Sequence, residues 1–219
     1  MVPKPASVGA GDQSGVKRPG AAAGMRLPLR RLRSHPVAVR ARALDRSVDT
    51  AVSRAHNPVL DAVFYPLSSA ADHSLLWLAA AGVREAMGRA RPGTTIRLAG
   101  VLGVESAVTN VVLKGFFGRI RPALDPAISG PLPWGLRRPV TSAFPSGHAT
   151  AGFTSAVFLS RADPGPPWYL IAGLVGFSRV YVRLHHTSDV LAGAALGLAF
   201  GYAARSFVPP EPPPLGNAG

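Results

Sequence analysis

Three short polar clusters carry the side chains best suited to chemistry in this 219-residue chain. The first is KGFFGRIRP, residues 114–122, in which Lys114 is followed after six residues by Arg121 and Pro122. The second is PSGH, Pro145 to His148. The third is SRVYVRLHHTSD, residues 178–189: Ser178 and Arg179, then His185 after five residues and Asp189 after three more. Lys114, Arg121 and Arg179 are cations able to neutralise a phosphoryl group, and an arginine can fork two of its oxygens. Ser146 reads as the cap of a helix whose first-turn N–H groups and partial positive charge favour an anion. His185 and Asp189 lie four apart. On one helical face the carboxylate can hold one imidazole nitrogen and leave the other as a nucleophile. His186 is three residues from Asp189, so spacing alone does not separate the two histidines. His148 comes from another element and can protonate a leaving oxygen. Nucleophile, orienter, acid and charge clamp together suit phosphoryl transfer.

Each piece also has a plain structural use. A lysine or arginine at a helix end is commonly an anchor that snorkels to the membrane surface. A histidine four residues from an aspartate can start a metal site, but no further His, Asp or Glu is spaced to complete one. No metal and no cofactor are therefore expected. Glu105, inside an apolar stretch, is expected to pair structurally with Arg84.

The elements that must position these residues are apolar. Hydrophobic residues make up 47% of the chain and charged residues only 16%, a balance that points to a helical membrane protein. The net charge of +13 is concentrated near the N-terminus. No aromatic–basic platform or zinc module accompanies it, so a membrane surface, and not nucleic acid, is the expected partner. Cysteine is absent, which excludes disulfides and thiolate chemistry. Residues 1–36, rich in Gly, Ala, Pro and Arg, are expected to form a disordered basic tail without a secretory signal. An amphipathic interfacial region is expected over 37–66, with a basic helix over about 37–55. A membrane domain follows over 67–208, and a Pro-rich tail over 209–219.

Five apolar segments lie at about 68–88, 94–116, 147–160, 166–183 and 189–208. The expected fold is all-α, a polytopic membrane bundle of about five transmembrane helices. Gly193, Gly197 and Gly201 recur every four residues, which allows close helix packing. A long Pro/Gly-rich loop with Arg119, Arg121, Arg137 and Arg138 joins the second and third segments. If all five segments cross, the three polar clusters emerge on one side. Residues 1–54 hold eleven Lys or Arg against three Asp, so that side is expected to be cytoplasmic.

The pattern Lys-x6-Arg-Pro, Pro-Ser-Gly-His, Ser-Arg-x5-His-x3-Asp resembles the three-part signature of the type 2 phosphatidic acid phosphatase superfamily, with every position filled. The resemblance implies a metal-independent phosphatase in which His185 is the phosphorylated nucleophile, His148 the general acid and Asp189 the orienter of His185. It also implies that Lys114, Arg121, Ser146, Gly147 and Arg179 bind the substrate phosphate. The substrate class it implies is a lipid phosphate or polyprenyl-linked phosphate in a bacterial cell membrane, including decaprenylphosphoryl-5-phosphoribose of cell-wall arabinan synthesis. Phosphatidylglycerophosphate, phosphatidic acid and undecaprenyl diphosphate are the alternatives. The soluble vanadate-dependent haloperoxidases share the signature, but the apolar segments argue against them. A catalytically inactive lipid-binding member would be expected to lack a motif histidine or arginine. Many membrane members have six spans where five segments are apparent here.

Overall fold

The computed structural model describes residues 35–123, 132–136, 139, 141–161 and 167–205. Most of the expected basic tail, the whole Pro-rich tail, and Arg137 and Arg138 lie outside the described residues. Every regular element among the described residues is helical. Helix α1 (Pro36–Ala55) starts on a proline behind His35, whose ring accepts from the Val37 N–H. Helix α2 (Pro58–Ala70) is capped by Asn57, which accepts from the N–H groups of Val59 and Leu60 at 3.1 Å each. The expected interfacial region is thus two capped helices. A 3₁₀ turn, Asp72–Ser74, leads into α3 (Leu75–Ala86).

Glu85 begins the next element from outside it. Its carboxylate accepts from the N–H groups of Gly93 (2.6 Å) and Thr95 (3.0 Å), which otherwise lack helical partners. Helix α4 runs over Thr94–Ala107, passes through a π-helical stretch at Val108–Leu113 and ends with a turn at Lys114–Phe116. Then come α5 (Gly147–Leu159), α6 (Trp168–Tyr181) and α7 (Thr187–Arg205).

Helix α5 is the centre of the bundle. Its sequence GHATAGFTSAVFL is small or apolar on every side, and ten of its 13 residues are buried. Helix α7 closes on it through the expected glycine stripe. A Cβ on Gly193 would lie 2.5 Å from the Ser146 carbonyl oxygen, and one on Gly201 would lie 2.5 Å from Val157 Cβ. Thr154 donates to the Gly197 carbonyl at 3.1 Å, a bond that needs this close approach. On the other flank, Leu98 and Leu102 of α4 join Trp77 and Ala81 of α3 in the core around α5.

Two of the five expected spans, Thr94–Phe116 and Thr187–Arg205, are helices long and apolar enough to cross a membrane. Helices α3, α5 and α6 have 12, 13 and 14 residues. At 1.5 Å per residue they fall short of a ~30 Å hydrocarbon core. Glu105 is buried and accepts from Thr109 Oγ1 at 2.8 Å, while Arg84 donates to the Arg89 carbonyl and lies over the Trp168 ring.

Gly197→Ala should cost about 1–3 kcal/mol, because its methyl group would meet Thr150 backbone and Phe153 Cβ. Gly173→Ala, with open space around it, should be neutral or slightly stabilising. Thermal unfolding in detergent measures both; equal effects would contradict the packing described.

Candidate active site

The three clusters converge where α4 and α6 end and α5 and α7 begin. They line a cleft of about 510 Å³ whose walls include Lys114, Arg121, Gly147, His148, Arg179 and His185. Ser146 and Asp189 are fully buried just behind it.

Local folding explains each position. Ser146 takes an extended conformation, and its Oγ accepts from the Ala149 N–H at 3.5 Å, starting α5. The Ser146 N–H donates to the Asp189 carbonyl at 3.0 Å, which ties the start of α5 to the start of α7. Lys114 reaches over this helix start. Its Nζ donates to Asn110 at 2.7 Å and lies 3.7 Å from where a Cβ on Gly147 would be. A side chain at 147 would therefore fill space beside the ammonium.

Helix α6 ends in a Schellman motif. The Leu184 N–H donates to the Arg179 carbonyl and the Arg183 N–H to the Val180 carbonyl. Arg183 holds the left-handed position (φ 57°) that glycine usually takes. Its guanidinium secures the turn by donating to the Ala123 carbonyl at 2.7 Å and to Ser53 of α1. The turn brings His185 back over α6, with its N–H also on the Arg179 carbonyl at 3.0 Å.

His185 is 2% exposed. Its Nδ1 lies 2.7 Å from the Ala143 carbonyl, so Nδ1 carries the proton and Nε2 keeps its lone pair. Nε2 faces the Arg121 guanidinium at 3.2 Å. Arg121 is fixed by donating to the carbonyls of Leu184 (2.5 Å) and Pro139 (3.1 Å). Burial, followed by the charges of Arg121 and Arg179, holds the His185 pKa well below its ordinary 6.5. Its neutral form, the form with a nucleophilic lone pair, therefore persists below neutral pH.

The Asp189–His185 contact differs from the expected hydrogen bond. The carboxylate is 3.8 Å from His185 Nδ1, and the Ala143 carbonyl takes the hydrogen-bonding place. Asp189 is occupied elsewhere. Its Oδ2 accepts from the His186 N–H at 2.8 Å, as the returning half of a capping box at the start of α7. Its Oδ1 forms an ion pair with Arg119 at 2.8 Å. His186 turns away from the cleft, toward Asp49 at 3.1 Å. His148 Nε2 lies 2.7 Å from Asp72 Oδ1, and Arg179 donates to Ser68 Oγ at 2.6 Å.

Three supporting residues were not singled out from the sequence. Asp72 sits inside an apolar segment, where a carboxylate is itself a signal. Asp45 lies in a basic helix and gives no such signal, and Arg119 was one of four loop arginines. Asp45 is buried on α1. It accepts from Arg119 at 2.5 Å and from the Ser188 N–H and hydroxyl at 2.8 Å each. Arg119 thus bridges Asp45 on α1 and Asp189 on α7.

The arrangement, a histidine lone pair among three cations and a helix start, has the charge and donors to receive a phosphoryl group. Comparison with known proteins agrees with that class. The sequence profile of the PAP2 superfamily matches residues 90–212, more than half of the chain, and the chain belongs to that superfamily. It is 33% identical over 111 residues to phosphatidylglycerophosphatase B of Bacillus subtilis, covering 45% of this chain and 50% of that protein. It is 33% identical over 91 residues to decaprenylphosphoryl-5-phosphoribose phosphatase of Mycobacterium tuberculosis, covering 42% of this chain and 49% of that one. The chain thus spans about half the length of these curated relatives. The crystal structure of the Bacillus subtilis PAP2-type phosphatidylglycerolphosphate phosphatase superposes with a TM-score of 0.59 at 26% identity, covering 79% of this chain and 87% of that one.

Burial raises the Asp45 carboxyl pKa, but the bonds from Ser188 and Arg119 outweigh it and hold the group below its ordinary 3.8. Its contribution to stability is complete above about pH 4 and is lost as pH falls through the lowered value. Asp45→Ala should therefore lose about 2–3 kcal/mol at pH 7, less than the ~3–5 kcal/mol of a fully buried broken pair because Arg119 is partly exposed and keeps Asp189. Unfolding curves of variant and wild type should converge below pH 4; a constant gap would contradict the clamp.

Proposed function

We propose that this chain is an integral membrane phosphatase that hydrolyses a lipid phosphate or polyprenyl-linked phosphate through a phosphohistidine on His185. The observation that carries this is the buried His185, whose lone-pair nitrogen faces the Arg121 guanidinium at 3.2 Å inside the polar cleft. Lys114, Arg121, Arg179 and the first-turn N–H groups after Ser146 hold the phosphoryl oxygens. His185 Nε2 attacks phosphorus, the bond from phosphorus to the ester oxygen breaks, and that oxygen takes a proton from His148. Water then attacks phosphorus and gives a proton to His148, the bond from His185 Nε2 to phosphorus breaks with its electron pair returning to Nε2, and inorganic phosphate leaves. Asp189 acts on His185 as a nearby charge, favouring the cation that develops on the ring. The three side-chain cations supply the charge a divalent ion would otherwise provide, so no metal is required. Relatives act, by name, on phosphatidylglycerophosphate, decaprenylphosphoryl-5-phosphoribose and undecaprenyl diphosphate, and these are the substrates to test.

Helices α3–α7 form the membrane bundle in this reading. Exposed apolar residues on α3, α4, α6 and α7, among them Leu75, Ile96, Leu170 and Leu191, offer a surface to lipid. Helix α1 belongs to the active-site end, because its Asp45 reaches Arg119 and Ser188. The basic residues of α1, Arg40, Arg42, Arg46 and Arg54, therefore accompany the site, which supports a cytoplasmic face.

Rapid quenching with ³²P-labelled substrate should trap an acid-labile, base-stable adduct that His185→Ala abolishes and His186→Ala retains; the reverse would contradict the assignment. His148→Ala should lose least on substrates with good leaving groups. Activity should survive EDTA; loss in EDTA with recovery in Mg²⁺ would contradict the cation clamp. Thr50→Cys, in a chain without native cysteine, should resist an impermeant thiol reagent in intact cells and react after lysis. Labelling from outside would place the site on the opposite face.

A further inference from the structure

Helix α1 is seated on the active-site end by polar links and little burial. Only Asp45 and Val52 of its 20 residues are buried. Asp45 accepts from Arg119 and from the N–H and hydroxyl of Ser188. Asp49 Oδ2 lies 3.1 Å from His186 Nδ1, and Arg183 donates to the Asp49 carbonyl at 3.3 Å and to Ser53 Oγ. Arg183, His186 and Ser188 belong to the turn that carries His185, and Arg119 holds Asp189. Each of these links thus ends on a residue that adjoins the histidine or its carboxylate neighbour. A helix with so few buried apolar contacts detaches at a lower free-energy cost than the bundle unfolds.

The outer surface of α1 is basic and apolar. Arg40, Arg42, Arg46 and Arg54 are exposed, whereas Asp45 is buried and Asp49 half-buried. Val37, Val39 and Leu44 are exposed among the arginines. Across a groove of about 520 Å³, lined by Ala38 and Ala41 on one side and Gly118 and Ile120 on the other, the turn after α4 exposes Phe116, Phe117 and Ile120. The two long apolar helices set the level of this surface. Thr94–Phe116 ends shortly before Arg119, and Thr187–Arg205 begins next to Ser188, so the side chains that grip Asp45 stand at the ends of both. Arginines among exposed apolar side chains at that level suit a head-group layer of net negative charge.

Building on the membrane phosphatase reading above, we propose that α1 and the Phe116–Ile120 turn dock together on an anionic lipid surface, and that docking keeps α1 in its seat and the site active. A ligand shifts such an equilibrium only by binding one state better. Here the seated state is favoured twice over. Seated, α1 and the turn present one continuous surface, and Asp45 and Asp49 are paired inward with Arg119 and His186. Released, α1 loses the turn as a neighbour and uncovers both carboxylates, which an anionic surface repels. Arg119 then keeps only Asp189, and the turn carrying His185 loses its links to Asp45, Asp49 and Ser53.

The test measures kcat for 4-nitrophenyl phosphate with the full chain in lipid nanodiscs, of phosphatidylcholine alone or with one quarter phosphatidylglycerol. The soluble substrate is itself an anion, so mere repulsion by the lipid would slow it. Phosphatidylglycerol should instead raise kcat about fivefold or more, the effect of about one arginine at an anionic surface. High salt should diminish the rise. Arg40→Gln combined with Arg46→Gln should bring the ratio to roughly twofold or less. Arg91→Gln, an exposed change at the opposite end of the bundle, should leave it unchanged. Asp45→Asn, which cuts the link, should give a low rate that is equal in both discs. Amide hydrogen exchange over residues 36–55 should slow in the phosphatidylglycerol discs. A wild-type ratio near one, or a full ratio retained by the double arginine variant, overturns the proposal. No phosphate release and no labelled His185 in either disc would instead overturn the phosphatase reading, while the exchange of α1 still reports whether anionic lipid seats the helix.

Discussion

The Arg119 guanidinium, held between two buried carboxylates, is the interaction on which the rest of the site depends. One carboxylate, Asp45, belongs to the first helix, and the other, Asp189, to the first turn of the last one. Neither acid would be tolerated inside the bundle without this partner, since an isolated buried charge costs several kcal/mol. The bridge has a consequence for His185. Asp189 is pinned by Arg119 and by the His186 N–H, so its carboxylate stands 3.8 Å from His185 while the Ala143 carbonyl fixes the ring. Tautomer and charge are thus set by two different groups.

A second constraint comes from glycine. The Ser146 N–H reaches the Asp189 carbonyl only because α7 lies against α5 at glycine distance. The same approach sets the helix start that carries Gly147 and His148 beside Lys114. Packing in the bundle and placement of this helix start beside Lys114 are therefore one problem, solved by small residues on one face of α7.

Much of this was legible in the sequence. The cluster residues Lys114, Arg121, His148, Arg179 and His185 announced themselves by type and spacing, and all line one cleft. The glycine stripe was legible because its four-residue period is a packing signal. The rest depended on tertiary contacts between distant residues. Asp45 and Arg119 are 74 positions apart, and nothing local marks an aspartate in a basic amphipathic helix as a buried anchor. The Ala143 carbonyl is backbone and carries no side-chain signal at all. Apolar runs showed where helices lie but not their lengths. The segments at 68–88 and 166–183 are shortened by the Asp72–Ser74 turn and by a start at Trp168.

The central claim is that Asp45, Arg119 and Asp189 act as one unit to hold a carboxylate charge beside His185. The most direct measurement is the rapid-quench rate of phosphohistidine formation in Asp45→Asn, Arg119→Met and the double variant. Residues acting as a unit are non-additive. The double variant should be no slower than Arg119→Met alone, with substrate KM little changed throughout. Losses that multiply in the double variant, or a rate untouched by Arg119→Met, would contradict the account.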